Sequence, residues 1–266
     1  MSTHSISDIQ AIDVHGHYGA YTNAKHPLTN EFHSGDLELV AARAAQANTA
    51  ITIVSPLQAL TPRGHGDPVG ANEDAARCVG EFPSLRFYVV IDPLRPQTFE
   101  QAEVMLRQDE CVGIKIHPEE HLYPIKEHGK VLFEFAQEQN AVILTHSGEE
   151  RSLPGDFVQF ADDFPDVKLI LAHLGCGYDG DPTYQVRAIQ KTTSENVYVD
   201  TSSAQSITPR LIEWAVEEIG AEKILYGTDT PLYCTTMQRI RIDEADIGDA
   251  EKQLILRDNA RRIFTI

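Results

Sequence analysis

Val142-Ile143-Leu144-Thr145-His146-Ser147-Gly148 and Leu169-Ile170-Leu171-Ala172-His173-Leu174-Gly175 share one design: a short apolar run, a histidine, and a glycine two residues on. The two histidines lie 27 residues apart. Apolar runs this short and this continuous fit strands buried on both faces, and the step between them holds one strand, one helix and their turns. The period extends in both directions. His117, His146, His173, Asp200 and Asp229 follow one another at intervals of 29, 27, 27 and 29 residues, each closing an apolar run. Strand-like segments at 11–14, 50–54, 87–91, 112–116, 141–145, 168–172, 197–199 and 224–226 alternate with helical-period segments at 37–47, 72–81, 98–107, 125–139, 157–164, 182–191, 209–218 and 249–257. Eight strands, each followed by a helix, predict an α/β chain folded as a single (β/α)8 TIM barrel, with 1–266 as one domain. A doubly wound open sheet is the alternative, but the chain has neither a G-x-G-x-x-G turn nor a Walker A sequence. Longer gaps after the first two strands leave room for extended loops, and the Gly/Pro-rich stretch 61–69 reads as a lid.

Composition narrows the partners. Among 266 residues, 22 Lys plus Arg face 40 Asp plus Glu, a formal charge of −18. The balance repels phosphate backbones and anionic lipid, so no nucleic acid and no membrane is expected as a partner. At 42% hydrophobic and 23% charged, the chain is globular rather than disordered. No apolar run approaches the roughly 18–20 residues that span a bilayer. Residues 1–8 have neither the basic start nor the apolar core of a signal peptide. Cys78, Cys111, Cys176 and Cys234 are scattered without a Cys-x-x-Cys pair and read as reduced thiols, which points to the cytoplasm. Homo-oligomer formation is left open.

The first strand ends Ile12-Asp13-Val14-His15-Gly16-His17. In an extended chain residues i and i+2 face the same side, so the two imidazoles point one way. A His-x-His pair alone says little. It gains weight because His146, His173 and Asp229 occupy the corresponding ends of later strands, where a polar group costs stability unless it has a partner. Lys115 and His117 share a face of the fourth strand in the same manner.

With these residues in view, the sequence resembles the amidohydrolase superfamily. Within it, the similarity is to the amidohydrolase-related branch that includes amino-carboxymuconate-semialdehyde decarboxylase and its hydrolase relatives. The resemblance rests on Asp13-Val14-His15-Gly16-His17, Gly113-Ile114-Lys115-Ile116-His117-Pro118, Leu144-Thr145-His146-Ser147-Gly148, Leu171-Ala172-His173-Leu174-Gly175, Gly227-Thr228-Asp229-Thr230-Pro231 and the closing Asn259-Ala260-Arg261-Arg262-Ile263-Phe264. It implies a divalent metal held by His15, His17, His146 and Asp229, with His173 beside it as an acid–base group. A set of imidazoles and a carboxylate suits Zn²⁺, with Mn²⁺ as the alternative. Some superfamily members carboxylate a lysine on the fourth strand to bridge two metals. Lys115 stands at that strand, but one metal is expected, with Lys115 pairing with Asp229, a substrate carboxylate or Asp92. Arg63, Lys115, His117 and Arg151 are the candidates to bind a small, anionic substrate.

The resemblance implies either of two reactions. The expected one is hydrolysis of a small-molecule amide, ester or lactone by a metal-activated water, with Asp229 taking its proton. The alternative is a metal-dependent decarboxylase or lyase of an unsaturated carboxylic acid. The chain is short for the decarboxylases of the branch, which favours hydrolysis. A non-catalytic metal-binding protein would need a closed coordination shell, which three histidines and one carboxylate do not supply.

Overall fold

A computed structural model describes residues 8–266; the segment 1–7, which carries most of the stretch read for a signal peptide, lies outside it. The described residues form eight parallel strands, β1 (Ala11–Tyr18), β2 (Thr49–Pro56), β3 (Leu85–Val90), β4 (Cys111–Ile116), β5 (Ile143–Thr145), β6 (Leu169–Leu171), β7 (Val197–Asp200) and β8 (Ile224–Leu225), paired in sequence order. Helices fill the crossovers, which makes the architecture a (β/α)8 TIM barrel. Because β8 is only two residues long, closure falls to the chain beyond it. Val14 N donates to Tyr226 O (2.9 Å), Asp229 N to His15 O (2.7 Å) and His17 N to Thr230 O (2.6 Å), and Gly16 bridges Thr230 in parallel.

Two side-chain layers hold the barrel. The larger packs the outward faces of the strands, including Phe87, Ile114 and Leu169, against helices through Phe133, Phe160 and Ile212. The smaller gathers Ile12, Ile53, Tyr88, Leu144, Ile170 and Leu225 and is joined by Phe264 from the last turn. Leu144 belongs to this inner layer, and His146 follows it on the same side of the chain, so the histidine caps an apolar plug. The residue that ties the C-terminal segment to the barrel is Asn259, whose buried amide donates to Ala221 O (2.7 Å) and Ile224 O (2.6 Å). Asn259→Ala strands two carbonyls at the start of β8. Urea denaturation is expected to show a loss of about 1–3 kcal/mol, the usual cost of leaving buried polar groups unpaired.

The structure departs from the sequence expectation at a few places. β1 continues through Tyr18, so His15 and His17 lie within the strand rather than just past it. The helix expected over 72–81 begins at Pro68, where Asp67 accepts a hydrogen bond from Gly70 N, and ends in a 3-10 turn at Val79–Glu81. The last helical segment splits into Asp249–Gln253, a π turn over Leu254–Asp258, and Asn259–Ile263. Helices at Pro27–Phe32 and Thr235–Asp243 were absent from the sequence expectation. The first buries no residue, and the second buries Thr235, Gln238 and Arg239 with Ile242, so neither shows an apolar stripe. The stretch 61–69 is pinned rather than free. Gly64 N donates to Glu120 O (2.7 Å), and Arg95 reaches Gly66 O (2.7 Å).

Candidate functional site

His15 and His17 project from β1 and meet Asp229, which stands beyond β8. His15 Nε2 lies 3.2 Å from His17 Nε2 and 3.6 Å from Asp229 Oδ1, and His17 Nε2 lies 3.0 Å from the same oxygen. The other ring nitrogens decide what these contacts are. His15 Nδ1 sits 2.8 Å from the Asp200 carboxylate, and His17 Nδ1 lies 3.2 Å from Ser55 O. A carboxylate oxygen only accepts, so His15 Nδ1 carries the hydrogen and its Nε2 presents a lone pair. His17 Nδ1 has the Ser55 hydroxyl at 2.9 Å as well as the carbonyl, so its hydrogen sits either on Nδ1, leaving Nε2 a lone pair, or on Nε2, donated to Asp229. Burial pulls the His17 imidazole down to about 4, only partly offset by Asp229, so it is neutral at pH 7. Burial pushes the Asp229 carboxyl up, but the hydrogen bond to His17 and the neighbouring imidazoles outweigh it and hold the group ionised. With the His17 hydrogen on Nδ1, two lone pairs and an anionic oxygen converge on one point. That donor set fits a divalent cation.

Lys115, on β4 and buried, puts Nζ 2.8 Å from His15 Nε2. It pairs with neither Asp229 nor Asp92 within ion-pair distance among the described residues; burial lowers its ammonium to about 8, partly offset by Asp229 and Asp200 at longer range.

A second contact of the same kind lies beside the first. His146 Nδ1 is 3.1 Å from His173 Nε2. His146 Nε2 donates to Glu149 (2.9 Å), and His173 Nδ1 lies 2.8 Å from Ser202 Oγ, whose own hydrogen goes to Asp200. Both inner nitrogens are thus lone pairs as well, and they hold one proton or one cation between them. Burial lowers the His173 ring well below its usual range, with Asp229 opposing it and the His146 and His15 imidazoles adding to it. His173 (φ 72°) and Asp229 (φ 56°) both adopt the left-handed backbone region, where a side chain is strained, and both sit at the site.

These groups open into a cavity of about 280 Å³ with Tyr21, Leu57, Leu60, Leu232 and Tyr233 as its apolar and aromatic wall. A larger cavity, about 560 Å³, lies at the starts of β4–β6, away from every histidine discussed above. His117 lines the smaller cavity, with its ring stacked on His146 at 4.2 Å and 9°. Arg63 is at the mouth, bound to Glu120 (3.1 Å) and near Glu149 (3.6 Å). Arg151 is not among the lining groups; its guanidinium pairs with Glu119 (3.1 Å). Cys176 lines the cavity as a thiol pushed up by burial. The structure therefore gathers His15, His17 and Asp229 in one cluster, sets His146 against His173 in a second, and leaves Arg151 outside. Sequence reasoning missed Asp200, Ser202 and Ser55, which meet the outer ring nitrogens. Asp200 was visible in the 27- and 29-residue spacing but had no assigned role.

The sequence model of the amidohydrolase family matches residues 12–266. The chain belongs to the amidohydrolase family. Over 120 residues it is 30% identical to the gamma-resorcylate decarboxylase of a Polaromonas species, a match covering 40% of this chain and 36% of that protein. The match thus spans about a third of the relative's length. Among solved structures, 5-carboxyvanillate decarboxylase from Sphingomonas paucimobilis superposes with a TM-score of 0.74 at 14% identity, covering 97% of this chain and 99% of that one. A dihydroxybenzoic acid decarboxylase from Polaromonas, solved with manganese and 2-nitroresorcinol, gives 0.71 at 16% identity, covering 96% of each. The superpositions show the shared barrel. The expectation of hydrolysis is corrected by these relatives, which are decarboxylases. Chain length was a poor guide because the same ligand residues on the same barrel serve either reaction.

Proposed function

We propose that this amidohydrolase-family protein is a metal-dependent decarboxylase of a small aromatic or otherwise unsaturated carboxylic acid. The observation that carries the reading is the His146–His173 contact, a place for one transferable proton beside a cation site. Decarboxylation replaces a carboxyl by hydrogen: a proton adds to the carbon, the carbon–carbon bond breaks, and carbon dioxide leaves with no water consumed. The activities of the relatives support the same reaction.

His15, His17 and Asp229 would hold one divalent cation, Zn²⁺ or Mn²⁺, which when bound supplies a positive charge to orient an anionic substrate. His146, expected as a fourth ligand, instead faces His173. Lys115 faces the same space, and its ammonium answers the substrate's charge. The arriving anion favours protonation of the His146–His173 pair, and His173 Nε2 delivers that proton to the carbon. The apolar wall keeps water from competing for it. A second reading, favoured by the same pair of lone pairs, places a second cation there with a carboxylated Lys115 between the two. It requires two metals per chain and the added mass of a carboxyl group on Lys115.

Gamma-resorcylate and 5-carboxyvanillate, with metal present, test the reaction. Release of carbon dioxide is expected; incorporation of labelled water oxygen into product without carbon dioxide defeats the reading. His15→Ala removes one of the three converging donors, and the metal content of the purified variant is expected to fall by about 10–100-fold in affinity.

A further inference from the structure

His117 has a property that the proposed chemistry does not use. Its Nδ1 accepts the backbone N–H of Glu120 (3.3 Å). A nitrogen that accepts carries no hydrogen, so the ring is the neutral tautomer with its hydrogen on Nε2. Nε2 has no protein partner among the described residues, and the ring lines the cavity. The tautomer is held from several sides. His121 N donates to His117 O (3.1 Å), closing the turn that carries the Glu120 amide. Glu120 O in turn accepts Gly64 N (2.7 Å), while its side chain accepts from Asn23 (2.9 Å) and Arg63 (3.1 Å). The flat stack on His146 fixes the ring plane. An N–H held in this way is a preorganised donor that cannot turn into an acceptor.

We propose that His117 is a specificity-determining residue that reads an oxygen acceptor on the substrate, one ring-stacking distance from the His146–His173 proton position, and rejects a donor at that place. For the acid end of the ligand this rests on the decarboxylase reading. The ligand class is an acid bearing a second oxygen acceptor beside its carboxyl group: a phenolic oxygen whose hydrogen turns to the neighbouring carboxylate, a keto oxygen or a second carboxylate. An amino group there would set N–H against N–H, and a site left with an unpaired buried donor discriminates strongly.

The test uses the Zn²⁺-loaded full chain and two probes, 2-hydroxybenzoate and 2-aminobenzoate, with affinities measured by calorimetry. The wild type is expected to bind the hydroxy acid about 10-fold or more tightly than the amino acid, and His117→Phe, which keeps a stacking ring but has no donor, to reduce that gap to about 2-fold. A wild type that does not discriminate, or a gap that survives in His117→Phe, overturns the assignment. Nitrogen-15 NMR of the wild type gives a check that needs no variant: a hydrogen on Nε2 of His117 supports the proposal, and one on Nδ1 overturns it. Carbon dioxide release is scored separately. A discrimination that vanishes in His117→Phe with no carbon dioxide released would sink the decarboxylase reading and leave the role of His117 standing.

Discussion

His173→Asn is expected to yield a folded protein that keeps its metal and loses turnover by about 10²–10⁴-fold, the range for removing a positioned acid–base group. Asparagine is the substitution of choice because it tolerates the left-handed backbone that His173 adopts (φ 72°), whereas alanine would add strain to the loss of the ring. The ring packs beside His15 (centroids 5.0 Å) but is hydrogen-bonded to none of the three donors that converge on the cation site; its Nε2 faces His146 and its Nδ1 faces Ser202. Metal content and single-turnover rate should therefore separate. Parallel loss of both would place His173 on the metal and favour the two-metal reading. A kcat near wild type would remove the proton from the His146–His173 pair altogether.

Asp229→Asn acts on the other cluster. The backbone again suits asparagine (φ 56°), and one oxygen remains for the cation, but the negative charge facing His17 Nε2 at 3.0 Å is gone. Metal affinity is expected to fall by about 10–100-fold, so that activity at limiting metal is nearly abolished. Under decarboxylation no water proton has to be taken up by Asp229, so the rate should climb back as metal saturates the variant. A titration of Zn²⁺ or Mn²⁺ against turnover decides it. Activity that stays flat at saturating metal would give Asp229 a proton-transfer duty as well.

The barrel was readable in the chain because burial on both faces leaves continuous apolar runs, and because each βα unit has a similar length; His146, His173, Asp200 and Asp229 stand where that period puts them. The helices at Pro27–Phe32 and Thr235–Asp243 were not readable, since one buries none of its residues and the other packs mostly through polar side chains. Ligand types were legible at His15, His17 and Asp229. Which nitrogen of each ring carries hydrogen was not, because Ser55, Asp200 and Ser202 reach those rings only in three dimensions, and Ser202 is 187 residues from His15. The acids that pair with Arg63 and Arg151 were hidden for a related reason. A loop cation is legible in the chain but its acid is not, and Glu120 and Glu119 lie 57 and 32 residues from the arginines they pair with.

During synthesis β1 leaves the ribosome long before the residues that seal it, for His15 and Asp229 are 214 positions apart. Entropy for joining such distant segments rises only slowly with length, but the search is late and non-local. Until the final βα unit emerges, His15 and His17 occupy an open edge whose amides and carbonyls have nothing to pair with, an invitation to wrong partners. The strand that carries the two histidines is thus the most vulnerable part of the nascent chain. A cation spanning from His15 to Asp229 would latch this joint, so metal-starved cells should accumulate protein that is protease-sensitive along this joint while the middle of the barrel stays protected.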